Sequence, residues 1–373
     1  MRIGILKEIK DKEYRVAATP ATVSEIVRRG HAVLVQHDAG QGSGFLDEEY
    51  AAVGAEIIST AEEVYRRADL FYKVKEFFPE EYHYMAPDKI IFTYIHSNAH
   101  PNETDALIQS GVTAFAYEDV TDDEGHFPLL SPMSVLAGKG GFLAALHHMQ
   151  AVFGGNGTLL ANVCGVETPI ITILGAGNSG VGCAELAAAF GNTVRVLDIN
   201  VKTMQEAQRH LPANASFLIS NRTNLVKCLR ETDVLFNCIQ WAKNRKDHIV
   251  YREDLKLMKR GSMIVDVACD DEGAIETCRS TTHDDPVYYV DGIKHYCVDN
   301  VPSAFSRTAS IMLATATLPY LLEIAGKGVK QALTDNKHLR DGLTVYGGKL
   351  TLLETAVKQN RPYTSPDEVV ATF

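Results

Sequence analysis

At 373 residues the chain exceeds one ordinary hydrophobic core, so two domains are expected. Hydrophobic residues at 46% against 22% charged give a globular balance and exclude disordered and fibrous classes. A formal net charge of −11 without any block of Lys and Arg argues against nucleic acid and anionic membranes as partners and points to a small molecule.

The N-terminal stretch from Met1 to Arg15 turns polar too soon for a signal peptide. No apolar run approaches the roughly 20 residues that span a bilayer, so a soluble, cytoplasmic protein is expected. Arg2 to Leu6 reads as a strand, Pro20 to Arg29 as a helix opened near Thr19, and Ala32 to Gln36 as a second strand. Leu70 to Lys75 and Ile90 to Ile95 repeat the strand pattern, as crossover units of a parallel sheet require. The turn from Asp122 to Gly125 places a domain boundary near residue 130. Met133 to Phe153 then fits a long helix with weakening glycines. A second series follows: Ile170 to Leu174, Val194 to Leu197, Val234 to Asn237, Met263 to Val267 and the edge run Val287 to Val290. Thr308 to Ala325 reads as one long helix, followed by a polar tail. Seven cysteines lack the close pairs that hold zinc, so no metal is expected and reduced thiols filling the core are.

The strongest chemical signal is the run Ile171-Thr-Ile-Leu-Gly175-Ala-Gly177-Asn-Ser-Gly180, a β-branched strand entering three spaced glycines and then the alanine-rich helix Ala184 to Phe190. The first glycine permits the tight turn, the second lets a pyrophosphate approach the backbone, and the third lets the helix pack on its strand. The next strand ends in Asp198, where a carboxylate can bind ribose hydroxyls and repel a 2′-phosphate, favouring NAD over NADP. In the first domain, Arg15, Lys75 and His96 sit at or near strand and loop ends. Together they suit an amino or 2-oxo acid: a guanidinium grips a carboxylate, an ammonium polarises a carbonyl and an imidazole exchanges protons. Taken singly, each reads as a solvated charge or a satisfied polar contact.

Read together, Lys7-Glu-Ile, Glu13-Tyr-Arg15-Val-Ala with Thr19-Pro20, Gly40-Gln-Gly-Ser-Gly44-Phe, Lys73-Val-Lys75-Glu76, Phe92-Thr-Tyr-Ile-His96, Thr281-Thr-His-Asp-Asp-Pro286 and Ala316-Thr-Leu-Pro-Tyr320 resemble the alanine dehydrogenase/pyridine nucleotide transhydrogenase family over nearly the whole chain. The resemblance implies an α/β fold of two Rossmann-like domains with parallel sheets. The substrate domain would be discontinuous, 1–130 plus 306–373, around an NAD-binding domain at 131–305, with the reaction in the cleft between them. It further implies that Arg15 and Lys75 hold the substrate carboxylate and carbonyl, that His96 is the acid/base and that Asp270 assists it. Ser134, Gly175, Gly177, Gly180, Asp198, Ser220, Arg279 and Asn300 would contact NAD. A homo-oligomer, a hexamer, is implied too.

Two departures from the pattern stand out. Met133-Ser134 continues with Val135 and, later, Lys139, where the family usually has an acidic residue and an arginine. The segment from Asn237 to Ile249, carrying the single tryptophan Trp241, replaces a short aliphatic-Pro-Gly loop and resembles N5-(carboxyethyl)ornithine synthase. The implied activity is oxidation of L-alanine with NAD and water to pyruvate and ammonium. The alternatives are an opine-type synthase, which reduces the imine of pyruvate with an amino acid, and a non-catalytic NAD(H) sensor. The loop from Gln240 to Lys246 is expected to set substrate choice, with Trp241 either packed or walling the pocket.

Overall fold

Short apolar runs in the first third form six parallel strands: β1 (Arg2–Ile5), β2 (Ala32–Gln36), β3 (Glu56–Ile58), β4 (Leu70–Tyr72), β5 (Ile90–Thr93) and β6 (Thr113–Ala116). In the computed structural model, which describes residues 1–241, 245–269 and 273–373, every residue of β4, β5 and β6 is buried. That is the pattern of a parallel sheet covered on both faces. The helix Pro20–Arg28 opens with Thr19, whose hydroxyl accepts the Thr22 N–H while Thr22 reciprocates.

The second series contributes β7 (Ile170–Leu174), β8 (Thr193–Asp198), β9 (Ala215–Ile219), β10 (Val234–Asn237), β11 (Met263–Asp266), β12 (Val287–Val290) and β13 (Ile293–Tyr296), in the order β12-β13-β11-β10-β7-β8-β9. Only β12, at the edge, runs antiparallel to its neighbour. The chain's end returns to the first sheet. Where a polar tail is expected, β14 (Leu343–Tyr346) pairs antiparallel with β6 and β15 (Lys349–Leu350) pairs with β14, giving the order β15-β14-β6-β5-β4-β1-β2-β3. Two compact units result, Met1–Met133 with Phe305–Phe373, and Ser134–Ala304.

Two helices differ from their sequence reading. The helix beginning at Ser131 stops at His148 rather than Phe153, and a separate short turn covers Ala151–Phe153. Two of the glycines here face other elements: a Cβ on Gly138 would lie 1.9 Å from the Ser179 carbonyl oxygen of the helix Asn178–Ala189, where one on Gly182 would lie 2.5 Å from the Val135 carbonyl oxygen, and a Cβ on Gly141 would lie 2.6 Å from Val267 Cγ1. Glycine at Gly138 and Gly182 lets the two helix backbones touch. The second helix, Ser306–Lys327, lies in a stretch long and apolar enough to cross a bilayer, with mean hydropathy 1.4, contrary to the expectation that no run qualifies. Threonines and serines interrupt the apolar run in the sequence, yet Ala309, Leu313, Ala314, Thr317, Leu321 and Ile324 are buried in the first unit. There the Ser310 hydroxyl accepts the Val16 N–H at 2.9 Å and the Tyr72 and Thr317 hydroxyls meet, as in a core helix.

Candidate active site

In both sheets the chain winds outward one way and then the other, and ligands of open α/β sheets bind at the carboxyl ends where that reversal occurs. In the first unit the reversal lies between β1 and β4, and it gathers Arg15, Lys75 and His96. Lys75 lies within electrostatic reach of Arg15, and His96 within reach of Lys75.

Each of these side chains is backed by carboxylates. Arg15 is 3% exposed and is gripped edge-on by Glu13, at 2.7 Å from Nε and 2.5 Å from Nη2, while Nη1 faces the Met133 sulfur at 3.4 Å. Burying a guanidinium demands such a bidentate partner. Lys75 Nζ stands 3.5 Å from Glu76, which also takes the Lys10 ammonium at 3.0 Å. Burial pushes the Lys75 ammonium below its ordinary pKa, with Glu76 opposing. Burial alone would raise the Glu76 carboxyl, but Lys75 and Lys10 hold it at about 2. Lys73, two residues before Lys75, points into the core and pairs with Glu81. The intervening Val74 N–H donates to Glu8 at 2.6 Å, and burial lifts the Glu8 carboxyl to about 7 despite Lys73.

His96 occupies a left-handed backbone conformation, φ 51°, uncommon for a residue with a Cβ. Its ring stacks on Tyr94 at 5.7 Å, and the Tyr94 hydroxyl is anchored on the Leu129 carbonyl at 2.7 Å. Burial lowers the imidazole pKa and Glu118 opposes that. With the side chain 40% exposed, solvent moderates the depression.

In the second unit the reversal lies between β7 and β10, where the glycine turn sits. Gly175 has φ +99°, and a Cβ there would lie 3.0 Å from the Cys238 carbonyl at the end of β10. A Cβ on Gly180 would stand 1.9 Å from the Gly175 oxygen, whereas one on Gly177 would meet nothing within 4 Å. The helix Asn178–Ala189 begins there with no side-chain cap. Open space in front of helix N–H groups is what a pyrophosphate requires, so the residues present fit a dinucleotide. Asp198 braces the turn: its carboxylate accepts the Ala176 N–H at 2.7 Å and the Asn200 N–H at 2.8 Å, and its carbonyl accepts the Ser220 N–H at 2.8 Å. Gly175, Gly177, Gly180, Asp198 and Ser220 therefore share one region.

Ser134 lies partly buried on the helix Ser131–His148. Arg279 is exposed, with its guanidinium 4.2 Å over the Tyr288 ring. Asn300 holds a left-handed turn, φ 65°, whose carbonyl lies 3.4 Å from His283 Nε2; that nitrogen also stands 3.2 Å from the Ser303 hydroxyl. This gives the Thr281-to-Pro286 motif a structural task. Asp270 lies outside the described residues.

Sequence reasoning missed the supporting charges. Glu8, Glu13 and Glu76 stand inside the family motifs, where nothing local tells which group each faces, and Glu118 carries no local signal. In the second unit Asn237 donates to the buried Asp266 at 2.9 Å, and burial lifts that carboxyl to about 7. Three of the seven scattered cysteines also meet: Cys297 hydrogen-bonds with Cys269 and Cys278, and its sulfur lies 3.5 Å from the Tyr288 hydroxyl. Trp241 is 9% exposed, donates from Nε1 to the Asp247 carbonyl at 2.9 Å and lies 4.0 Å under the Arg245 guanidinium, which supports its packed reading. Residues 242–244 of that loop lie outside the described residues.

Comparison with known proteins matches this architecture along its length. The family model described as Alanine dehydrogenase/PNT, N-terminal domain, matches residues 4–137, and its C-terminal counterpart matches residues 142–352. Alanine dehydrogenase of Bacillus subtilis is 42% identical over 352 residues, 94% of this chain and 93% of that protein. That of Methanococcus maripaludis is 40% identical over 371 residues, 99% of this chain and all of the other. A solved structure of an L-alanine dehydrogenase superposes with a TM-score of 0.92 at 36% identity, covering 96% of this chain and 99% of that one.

Proposed function

The chain belongs to the alanine dehydrogenase/PNT family, and from that premise we propose that it oxidises L-alanine with NAD and water to pyruvate, ammonium and NADH. The observation that carries the reading is the convergence of Arg15, Lys75 and His96, each backed by a carboxylate, at the reversal point of the first sheet. Arg15, fixed by Glu13 on one edge, holds the substrate carboxylate. Lys75 neutralises that carboxylate further and polarises the carbonyl of pyruvate in the reverse direction. His96 exchanges the proton of the water that adds to the imino carbon, and Asp270, by its family position, assists. When bound, NAD accepts the hydride from the alanine Cα. Gly175, Gly177 and Gly180 with Asp198, Ser220, Ser134, Arg279 and Asn300 are the residues proposed to hold it.

Ammonium should support NADH oxidation by pyruvate, and ornithine or lysine in its place should not. An opine-type synthase would reverse that result and release a secondary amine visible by mass spectrometry. NADH binding without either activity would leave the sensor reading. Asp198, fixed at the end of β8 with its charge on the turn, also predicts that kcat/KM for NADH exceeds that for NADPH by at least about tenfold, since a 2′-phosphate would face that carboxylate. Equal efficiencies would remove this assignment.

The reading includes a cytoplasmic homo-oligomer. The homo-oligomer is supported by the exposed apolar side chains Val152, Phe153, Leu159, Val163 and Val166, which follow one another along the second unit.

A further inference from the structure

His96 and the groups around it leave one acidic side chain without a task in the chemistry above. Glu118 lies in the short turn Tyr117–Asp119 that follows β6, and His96 follows β5, its parallel neighbour in register. The Glu118 carboxylate therefore stands beside the loop that carries the imidazole, at the carboxyl ends of two adjacent strands. Three contacts join them. The Ile95 N–H donates to Oε1 at 3.1 Å and lies 3.3 Å from Oε2, the His96 N–H donates to Oε1, and the imidazole Nδ1 stands 3.5 Å from the same oxygen. Two successive N–H groups turned toward one point by a left-handed residue form a backbone nest for an anion. Here the anion is a side chain, and it is mostly buried, with 12% of its side chain exposed.

We propose that Glu118 is the positioning residue of the acid/base: it fills the nest at Ile95 and His96, stabilises the left-handed turn and engages Nδ1, leaving Nε2 for proton exchange. The proposal rests on the assignment of His96 under the proposed function. A left-handed residue with a Cβ persists where its surroundings over-determine it, and such strain collects at functional sites. The carboxylate supplies that determination. The other groups facing the ring are Lys75, Glu76 and His100, with Tyr94 stacked on it. Lys75 and His100 disfavour the protonated ring while Glu118 and Glu76 favour it, Glu118 most. Removing the Glu118 charge therefore lowers the imidazole pKa.

Glu118→Gln keeps a carbonyl oxygen for the nest and loses the charge, whereas Glu118→Ala loses both. In Glu118→Gln the pKa of the His96 imidazole, followed by NMR on histidine-labelled protein, is expected to fall by about one unit. The acidic limb of kcat/KM for alanine should move to lower pH by the same amount. In Glu118→Ala, kcat should fall at least about tenfold with KM for alanine nearly unchanged, the signature of an interaction needed by the reacting state rather than for binding. A titration and pH profile in Glu118→Gln superimposable on the parent's would overturn the proposal, and that variant decides even where Glu118→Ala fails to fold. The NMR titration needs no turnover. Absence of ammonium-dependent activity in the unaltered protein would therefore count against the functional reading alone.

Discussion

Replacing His96 by alanine is expected to lower kcat for alanine oxidation by about 100- to 10,000-fold, the usual contribution of a positioned acid/base. NADH should still bind with its original affinity, because the imidazole belongs to the first unit and the glycine turn to the second. The size of the loss follows from the local structure. The ring is held by stacking on Tyr94 and by the Glu118 carboxylate beside Nδ1, so few rotamers remain for it to leave its working position. Burial keeps the neutral form available near neutral pH, which proton exchange in either direction requires. Single-turnover measurement of NADH formation separates this chemical loss from slow product release. A rate within a few-fold of the parent's would show that another group performs the proton transfer.

The fold's legibility divides along physical lines. Strands β2, β7, β10 and β12 occur over the residues predicted for them, because β-branched and aromatic runs bounded by turns leave little choice. Strands that the sequence hid have tertiary partners instead of patterns. In β13, Lys294 and His295 are polar, yet both are buried: the Lys294 ammonium donates to the His148 and Phe153 carbonyls at 2.9 and 2.8 Å, and His295 Nε2 meets the Thr277 hydroxyl at 2.8 Å. Strand β6, Thr113–Ala116, has two alanines among its four residues and is held between β5 and β14, a neighbour more than 200 residues away in the chain.

The candidate site shows the same division. The glycine spacing and the acid that ends β8 follow from short-range geometry, whereas Arg15, Lys75 and His96 read singly as solvated charges and stand out only through the family resemblance. Their buried counter-charges follow no short-range rule. Glu118 stands 22 residues from His96 and Glu8 stands 66 from Val74, and only sheet register makes them neighbours. The pair of Lys73 and Lys75 illustrates the point. The chain leaves β4 at Tyr72 and bends at Val74 and Lys75, so the first lysine turns into the core against Glu81 and the second toward Arg15, a difference that two identical letters cannot express.

The glycine turn offers the sharper test of cofactor binding, because two substitutions of one methyl each should separate folding from ligand. At Gly180 the added Cβ would stand 1.9 Å from the Gly175 carbonyl oxygen, backbone against backbone, so no side-chain rotation relieves it. The helix must move off its strand, and overpacking of this kind costs about 1–3 kcal/mol. Gly180→Ala should therefore melt earlier and bind NADH poorly for structural reasons. Gly177 has φ −75° and ψ −171°, which alanine adopts readily, and its Cβ would meet no protein atom within 4 Å. Gly177→Ala should keep its melting temperature, since a substitution without protein contacts changes stability by at most about 0.5 kcal/mol. If a pyrophosphate lies against that backbone, the methyl occupies its place, and the Kd for NADH should rise at least about tenfold, or about 1.4 kcal/mol. Fluorescence titration with NADH beside a thermal melt measures both quantities in one preparation. Unchanged NADH affinity in a stable Gly177→Ala protein would mean that the phosphates do not approach this turn, and the cofactor's place on the second sheet would have to be sought elsewhere.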